Sequence, residues 1–432
     1  MLLRFGVENY RSLWRPQQLS LIPTRLHDNE SGLLKWGGRR GGGQALSTAI
    51  LYGANASGKS TVIDALETIR TAITYSHRHW DPKGGVGFTP FALDPKAVKR
   101  KARFDIDFVV DSIRYHYGFE ANRKEFTSEW LYSFPNGRRT LLFERSKSSF
   151  EFGRELKGRN KVIADLTRPN SLFLSAAIQN DHKQLTKVAR FFDETTVNNV
   201  GDTDFDSPDI DKTIRHRSVD KRAIEFLRRI DTGVVGWRRK TSPVPPEALI
   251  FQRDLVSLLQ KAVGDREEFS DLMREKRSEI QLAHQGVSGA AVYMDFDSES
   301  LGTKRLLALL CQVFKALDSG SLLVVDELDA SLHTQVGEGI IGLFSRRRTN
   351  PKGAQLVATT HDTNLLLSSF LRRDQIWFAE KDVAGATRLF ALSDIKTRKE
   401  DNFEKGYLQG RYGAIPFSGS ISQLLEKSPD LA

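Results

Sequence analysis

The sequence has little cysteine and no long hydrophobic run. Its 432 residues include one cysteine, Cys311, which excludes disulfides and a zinc site built on cysteines. Cys311 stands in an apolar helical pattern, and we expect it in the core. The longest apolar stretches, "LLVV" and "LLALLC", are far shorter than the roughly 20 residues that span a bilayer. Arg4 and Glu8 interrupt the segment that a signal peptide keeps apolar. The sequence predicts a soluble, cytoplasmic protein without a membrane partner.

The sequence also has fewer acidic than basic residues, 54 Asp and Glu against 64 Lys and Arg. The formal net charge is +10 and the pI is about 9.5. Such a balance favours a polyanionic partner, because Lys and Arg that neutralise phosphates release counterions. Solvated surface charge is the alternative, since the basic clusters are dispersed and none is flanked by an aromatic platform. The clusters occupy residues 96–103, 153–161, 215–222, 237–240 and 346–348.

The distribution of apolar residues predicts an α/β protein with an antiparallel β subdomain and a helical insertion. Period-two alternation over residues 85–152, with turns at 111–112 and 135–137, indicates the antiparallel region. Charged, amphipathic patterns up to residue 280, including 267–280, predict helices. We expect the acidic stretch 201–211 to be a mobile loop, since it lacks the glycine and the final acid of a calcium loop. The predicted domains are therefore 1–180, 181–290 and 291–432, and the first and last form the two lobes of one head.

The strongest motif is "GANASGKST", which fits the phosphate-binding pattern G-x-x-x-x-G-K-[ST] between a strand and a helix. Its glycines let the backbone wrap around the phosphates, and the start of the helix presents N–H groups to the anion. We expect Lys59 to reach the β- and γ-phosphates and Ser60 to ligate Mg²⁺. The predicted ATP-binding residues of this loop are Gly53, Asn55, Ala56, Ser57, Gly58, Lys59, Ser60 and Thr61.

Two further motifs follow buried strands. The stretch "LLVVDELDASLH" delivers Asp326 and Glu327 at a strand's carboxyl end, where Asp326 suits the Mg²⁺ shell and Glu327 suits the polarisation of an attacking water. The stretch "QLVATTHDTNL" ends in His361, which is placed to hydrogen-bond the γ-phosphate. The predicted catalytic residues of an ATPase are therefore Lys59, Glu327 and His361.

The order of these motifs resembles the ABC-type ATPases of the SMC/RecF group. The resemblance implies that Ser300, Gly302 and Thr303 in "SESLGTKRL" are signature residues, although Leu301 replaces the glycine of transporter signatures. It also implies nucleotide contacts for Asp329 in the D-loop and for Arg11 in "ENYRSL". The family places a glutamine in the Mg²⁺ shell, and Gln179 is the first candidate after the β region.

In that family the signature turn contacts ATP that another subunit's phosphate loop holds. The resemblance therefore implies a homo-oligomer, a dimer or larger, with ATP at the subunit interfaces. A transporter subunit is a weaker alternative because the signature is unlike that of transporters. A RecF-like or SMC-like DNA-binding ATPase of repair or maintenance stays open as an alternative.

The motifs also resemble a narrower group, the OLD-like ATP-binding proteins of phage defence and abortive infection, including PARIS-type and RloA/AbiL-type systems. That group's ATPase usually acts with a separately encoded nuclease or toxin, and the resemblance implies such an effector here, with a nucleic acid or phage protein as trigger. The C-terminal "GRYGAIPF" carries part of this resemblance, and we expect Gly410, Tyr412 and Gly413 to form a turn that packs on the ATPase. Only 71 residues follow His361, too few for the nuclease domain of OLD-type proteins, so we expect no intrinsic nuclease.

Overall fold

The computed structural model describes residues 1–26, 28, 30–37, 42–198, 219–230, 232–243, 245–263, 276–330, 332–398 and 400–414. Its β-strands are β1 (Leu2–Glu8), β2 (Gln17–Ser20), β3 (Leu33–Trp36), β4 (Gly43–Leu46), β5 (Thr48–Tyr52), β6 (Ala102–Val110), β7 (Ile113–Ala121), β8 (Phe126–Phe134), β9 (Thr140–Ser146), β10 (Ser149–Phe152), β11 (Thr196–Asn198), β12 (Val234–Pro243), β13 (Lys276–Gln285), β14 (Ala291–Asp295), β15 (Leu322–Val325), β16 (Gln355–Thr359), β17 (Ile376–Lys381) and β18 (Thr387–Ala391).

The α-helices are α1 (Lys59–Tyr75), α2 (Pro95–Val98), α3 (Asn160–Leu166), α4 (Phe173–Gln179), α5 (Lys183–Glu194), α6 (Lys221–Arg229), α7 (Pro246–Val263), α8 (Leu301–Ser319), α9 (Thr334–Ser345) and α10 (Phe403–Leu408). Among the helices of the described residues, none combines the length and the apolar character needed to cross a membrane.

A six-stranded sheet carries the three predicted motifs. Its strand order is β11-β15-β16-β5-β17-β18, and every neighbouring pair is parallel except β17 and β18. All residues of β5, β15 and β16 are buried, as expected for apolar strands in a sheet covered on both faces. Because β5, β15 and β16 are parallel, their carboxyl ends lie at one edge of the sheet, and the chain leaves this edge at residues 53, 326 and 360.

The predicted antiparallel region is confirmed. It forms a seven-stranded sheet in the order β10-β9-β8-β7-β6-β1-β2, in which the predicted opening strand β1 pairs with β6. The hairpin between β6 and β7 turns at Asp111 and Ser112, whose φ angles are +48° and +65°, the positive pair that a two-residue type I′ turn requires. Apolar residues of this sheet, of α1, α4 and α5 and of the parallel sheet form one buried core.

A buried carboxylate ties the antiparallel sheet to α4. Glu129 on β8 is fully buried, and its two oxygens accept hydrogen bonds from the N–H groups of Phe173 (2.6 Å) and Leu174 (3.0 Å) at the start of α4. The guanidinium of Arg145 on β9 lies 3.6 Å away, and Tyr117 donates its hydroxyl to Glu129 at 3.0 Å. Desolvation by burial raises the pKa of Glu129 above its ordinary value.

The chain divides into two compact units whose bounds differ from those of the predicted domains. One unit comprises Met1–Gly201 with Lys315–Ala432, and the other is Asp202–Phe314. The second unit includes the predicted signature turn, which the predicted domain 291–432 places in the last ATPase lobe. The insertion contains strands besides the helices α6 and α7, because β12, β13 and β14 form an antiparallel sheet there.

The predicted helix 267–280 is wrong for residues 276–280, because β13 begins at Lys276 and pairs with β12. This pairing overrides the helical pattern of the charged stretch. The predicted acidic loop 201–211 lies outside the described residues. Cys311 on α8 is partly exposed rather than fully buried.

The predicted C-terminal turn packs on the parallel sheet. The ring of Tyr412 stacks on Phe378 of β17 with centroids 6.0 Å apart, and the hydroxyl of Tyr407 donates to the Ala414 carbonyl at 3.1 Å. The N–H of Ala414 donates to the Glu380 carboxylate at 3.3 Å. The rest of the predicted stretch, residues 415–417, lies outside the described residues.

Candidate functional site

The phosphate loop leaves the buried strand β5 and turns into α1 in a conformation that needs its glycines. Gly53 has a φ angle of +155° and Gly58 of +103°. A Cβ atom on Gly53 would lie 2.3 Å from the Ala379 carbonyl oxygen, and one on Gly58 would lie 2.1 Å from the Thr387 hydroxyl. Both positions therefore exclude a side chain, and the backbone of the loop is held close to β17 and β18.

Lys59 begins α1 and folds back over the loop. Its Nζ atom donates to the carbonyl oxygens of Gly53 (2.9 Å) and Ala54 (3.0 Å). Burial lowers the pKa of Lys59, and the negative charges of Asp326, Glu327 and others nearby partly offset this effect. The structure thus brings the lysine of the first predicted motif into the field of the acids of the second.

The donor groups of the loop fit a phosphate ligand. The Ser57 hydroxyl is buried and has no hydrogen-bond partner among the described residues, a state that costs free energy unless another group binds it. Asn55, Ala56 and Ser60 are exposed and Thr61 is half-buried. An exposed Ser60 hydroxyl and the Asp326 carboxylate are hard oxygen donors of the kind that Mg²⁺ prefers.

A threonine hydroxyl joins the two predicted acids. Thr359, the last residue of β16, donates its Oγ1 hydroxyl to Asp326 Oδ1 at 2.5 Å. The same oxygen accepts the N–H of Glu327 at 2.7 Å, and the Thr359 carbonyl accepts the N–H of Leu328 at 2.8 Å. Sequence reasoning missed Thr359, although its position at the end of a neighbouring parallel strand is a usable signal.

The backbone at Glu327 is in a conformation that side chains rarely adopt. Its φ angle is +53°, which costs on the order of 1 kcal/mol for a residue other than glycine. The hydrogen bond to Thr359 holds this turn, and the Glu327 side chain remains half-buried rather than enclosed. The predicted base therefore sits on a turn whose geometry is fixed by the adjacent strand.

Asp329 of the predicted D-loop and His361 are linked directly. Asp329 Oδ1 accepts the backbone N–H of His361 at 3.1 Å. The exposed His361 also borders a cleft of about 900 Å³ that backbone and side chains of residues 53–57 line from the opposite side. Asp326, Glu327, Asp329, Lys59 and His361 are therefore gathered at one edge of the sheet.

Arg11 lies beside α1 with a φ angle of +47°. Its guanidinium forms an ion pair with Asp64 on α1, so a nucleotide contact by Arg11 requires it to share or leave this carboxylate. The hydroxyl oxygen of the neighbouring Ser12 lies 3.3 Å from that of Thr61 and 2.8 Å from that of Thr387, within hydrogen-bond distance of both. Ser12 and Thr387 support the loop. Ser12 stands in the predicted motif "ENYRSL", where only Arg11 is assigned a role, and Thr387 belongs to none of the predicted motifs.

Gln179 is not joined to the rest of the site. It is the exposed last residue of α4, and within the described part of the chain no hydrogen bond connects it to Ser60 or Asp326. Its role in the Mg²⁺ shell stays a prediction.

The predicted signature residues belong to the second unit. Ser300 precedes α8, and its hydroxyl accepts the N–H of Thr303 at 3.1 Å, as a helix cap does. Leu301 is 51% exposed. Glu299, just before the turn, is held by His284 of β13 at 2.7 Å. Gly302 lies within the first turn of α8.

A family model described as "AAA domain, putative AbiEii toxin, Type IV TA system" matches residues 49–368, well over half of the chain. Among solved structures, the chain is similar to an SMC head bound to the C-terminal winged-helix domain of ScpA, with 14% identity, 90% of this chain and 97% of that chain covered, and a TM-score of 0.41. The chain is also similar to the SMC head domain from Thermotoga maritima, with 14% identity, 92% of this chain and 99% of that chain covered, and a TM-score of 0.39. A third similar structure is an Smc head domain with an extended coiled coil, bound to the C-terminal domain of ScpA derived from Pyrococcus furiosus. The identity is 13%, the alignment covers 90% of this chain and 96% of that chain, and the TM-score is 0.36. No match was found among the curated proteins.

Proposed function

The chain belongs to the AAA-domain family described as putative AbiEii toxin, Type IV TA system, and from this premise we propose that it is a switch ATPase that assembles around ATP and controls a separately encoded effector. A sensor role in abortive infection against phage is the biological setting that we propose. The observation that carries the ATPase part is the hydroxyl of Thr359, which holds Asp326 and Glu327 together in front of the phosphate loop.

Each residue has a proposed task in hydrolysis. Glycine backbone, Ser57 and Lys59 hold the β- and γ-phosphates, and Lys59 exchanges its two carbonyl partners for phosphate oxygens. Ser60 and Asp326 hold Mg²⁺, which supplies charge neutralisation on the phosphates when it is bound. Glu327 accepts the proton of the attacking water, and His361 hydrogen-bonds the γ-phosphate. Asp329 positions His361 through the backbone.

We propose that the signature turn completes a site on a second copy of the chain. Ser300 and Thr303 then exchange their mutual hydrogen bond for contacts with the γ-phosphate of the neighbouring subunit. ATP binding thereby favours a dimer or larger oligomer, and hydrolysis releases it. Because the proposed effector is encoded separately, this chain supplies the nucleotide-dependent switch and has no nuclease activity of its own.

A DNA-binding ATPase of repair or maintenance is the second candidate, and the net charge of +10 favours it. The two proposals predict that cells lose different functions when the protein is inactive. Phage challenge of cells that carry the locus, with wild type, Lys59→Ala and Glu327→Gln, separates them. The defence proposal predicts protection by wild type that both variants lose. Absence of protection by wild type, accompanied by sensitivity to DNA damage when the gene is deleted, favours the repair candidate instead.

The ATPase proposal has its own biochemical test. Glu327→Gln keeps ATP binding but loses water activation, a contribution of typically 10²–10⁴ in rate, and it should accumulate as the assembled form on size-exclusion chromatography with light scattering. Lys59→Ala should remain disassembled at the same ATP concentration. Normal turnover by Glu327→Gln contradicts the assignment of the base.

A further inference from the structure

A second cleft lies at the amino-terminal edge of the parallel sheet, away from the phosphate loop. It encloses about 700 Å³ between the β3–β4 hairpin and the loop that joins α9 to β16, residues 346–354. The hairpin is fastened to the end of α9, since the Gly32 N–H donates to the Ser345 carbonyl at 2.9 Å. We call this space the amino-edge cleft.

The amino-edge cleft and the nucleotide site lie at opposite ends of the same strand. β16 runs from Gln355, next to the cleft, to Thr359, which holds the acidic pair. Five residues in a strand span roughly 16 Å. A ligand in the cleft therefore leaves the phosphate loop accessible.

The cleft has a strong excess of positive charge. Of the described residues that line the cleft, Glu30 alone carries a carboxylate side chain. Cations come from both walls, and within the described part of the chain Arg347 and Arg348 take part in no ion pair. Cationic groups that line one cleft repel one another, and a bound anion offsets this repulsion. The cationic residues of the lining are Lys35, Arg346, Arg347, Arg348 and Lys352.

The loop that carries the arginines is fixed by buried hydrogen bonds. Asn350 is 2% exposed, and its amide donates to the carbonyls of Phe344 (2.9 Å) and Ala354 (2.8 Å). Its Oδ1 accepts the N–H of Ala354 at 2.7 Å, and the Thr349 hydroxyl donates to the Leu343 carbonyl at 2.6 Å. The arginine backbone is thus held in place before any ligand arrives, which lowers the entropic cost of binding.

Stabilisation of the α9 dipole is the simpler explanation for cations after a helix end. That effect is confined to the last turn of a helix, and Arg346, which also stacks on Phe370 at 4.5 Å, is the residue nearest to it. The dipole gives no reason for Arg348 further along the loop or for Lys35 on the opposite wall. An external anion accounts for both walls.

We propose that the amino-edge cleft binds the phosphate backbone of a nucleic acid. Arginine suits this role because its planar guanidinium donates two parallel hydrogen bonds to a phosphate. A nucleic acid bound here contacts β16 from the end opposite to Thr359, so the strand connects it to the acidic pair. The inference stands on the cleft itself and does not depend on the proposed effector.

The test measures fluorescence anisotropy of a labelled single strand and of the matching duplex without nucleotide, over a series of salt concentrations. Wild type should bind one of the two, with affinity that falls as salt rises. In Arg347→Gln/Arg348→Gln the slope of log K against log salt should decrease in magnitude by about 2, and the affinity at low salt should fall at least about tenfold.

The matched control is Lys99→Gln/Arg100→Gln, which removes the same charge from two exposed residues after α2. It should keep the wild-type slope, and both double variants should hydrolyse ATP at the wild-type rate in the absence of nucleic acid. The inference is overturned if wild type binds neither nucleic-acid probe, or if both double variants lose affinity equally. A labelled acidic peptide serves as a third probe. The inference is also overturned if the cleft variant alone loses binding of this peptide while it keeps its affinity for nucleic acid. Because binding is measured without ATP, failure of the ATPase proposal leaves this result readable.

Discussion

The phosphate loop and the signature turn are built in different ways. The loop is fixed by bonds to distant parts of the chain, such as the Thr387 hydroxyl, which donates to the Ser57 carbonyl at 2.8 Å across 330 positions of sequence. The signature turn depends on short-range bonds, the cap between Ser300 and Thr303 at 3.1 Å and the pair of His284 with Glu299, 15 positions apart. The phosphate loop is thus held by hydrogen bonds to residues far away in the sequence. The groups of the signature turn form hydrogen bonds only to residues that are close in the sequence.

This difference predicts which of the two sites can bind its ligand in an isolated chain. The loop is closely packed, and its Ser57 hydroxyl has no hydrogen-bond partner in the part of the chain that the structure describes, so the loop is prepared for a ligand in the isolated chain. A turn whose hydroxyls bind each other exchanges partners only when a ligand is brought to it. We therefore expect changes around the loop to act on nucleotide binding or chemistry, and changes around the turn to act on assembly.

The largest expected effect is at Gly53. Gly53→Ala places a methyl group 2.3 Å from the Ala379 carbonyl oxygen, so the loop must move. We expect ATP binding to weaken about a hundredfold or more, which corresponds to about 2.7 kcal/mol, as measured by isothermal titration calorimetry.

Gly353→Ala is the matched control, because Gly353 also has a positive φ angle, +72°, at the other edge of the sheet. It shares the backbone strain but should bind ATP like wild type. Equal loss of affinity in both variants assigns the effect to general destabilisation rather than to the loop.

Thr359→Val tests the acidic pair with a smaller effect. The substitution removes the hydroxyl that fixes Asp326 and Glu327 while it keeps the shape of the side chain. Loss of a hydrogen bond to a charged group costs about 1.5–3 kcal/mol, so kcat should fall roughly 10- to 100-fold with little change in KM for ATP.

Thr349→Val provides the comparison, since the hydroxyl of Thr349 also donates a hydrogen bond, to the Leu343 carbonyl at 2.6 Å, but at the opposite end of β16 from the acids. Its steady-state hydrolysis should match wild type. If Thr359→Val instead raises KM and leaves kcat unchanged, the hydroxyl acts on binding and the account of the acidic pair is wrong.

His284→Ala probes the signature turn. Removing the partner of Glu299 leaves a largely buried carboxylate without its 2.7 Å contact, and the turn before α8 should lose its fixed position. We expect ATP-driven assembly to need about tenfold more protein, measured by light scattering, while ATP affinity at low protein concentration stays unchanged. Weakened nucleotide binding with normal assembly contradicts the division of labour between the two sites.

The smallest expected effect concerns Tyr52, at the end of β5. Its hydroxyl is buried without a partner among the described residues, and burial raises its pKa well above the ordinary value. Tyr52→Phe should therefore raise the free energy of unfolding by about 1 kcal/mol, seen as a higher midpoint in urea. Tyr117→Phe, which deletes a hydroxyl bonded to Glu129 at 3.0 Å, should lower it. If both substitutions change the free energy of unfolding in the same direction, the contrast drawn between the hydrogen bonding of the two hydroxyls is wrong.

The sequence predicts that the phosphate loop, the acidic pair and His361 lie together because each follows an apolar strand, and β15, β16 and β5 are indeed neighbouring parallel strands. The sequence assigns no role to Thr359, Ser12 or Thr387, since the contacts of these residues form only when distant segments of the chain pack together. Local patterns are wrong for part of the second unit, where they predict helix up to residue 280 although β13 begins at Lys276. Pairing between strands far apart in sequence decides such segments, and a local pattern does not record it.

The central claim is that the phosphate loop of one subunit works with the signature turn of another. The most direct measurement mixes two inactive variants, Lys59→Ala and Ser300→Arg, in equal amounts and records ATP hydrolysis. In a mixed dimer the Ser300→Arg subunit contributes an intact loop and the Lys59→Ala subunit an intact turn, so about a quarter of wild-type activity should return. No recovery beyond the sum of the two variants, in a mixture shown to form mixed oligomers, would contradict the account.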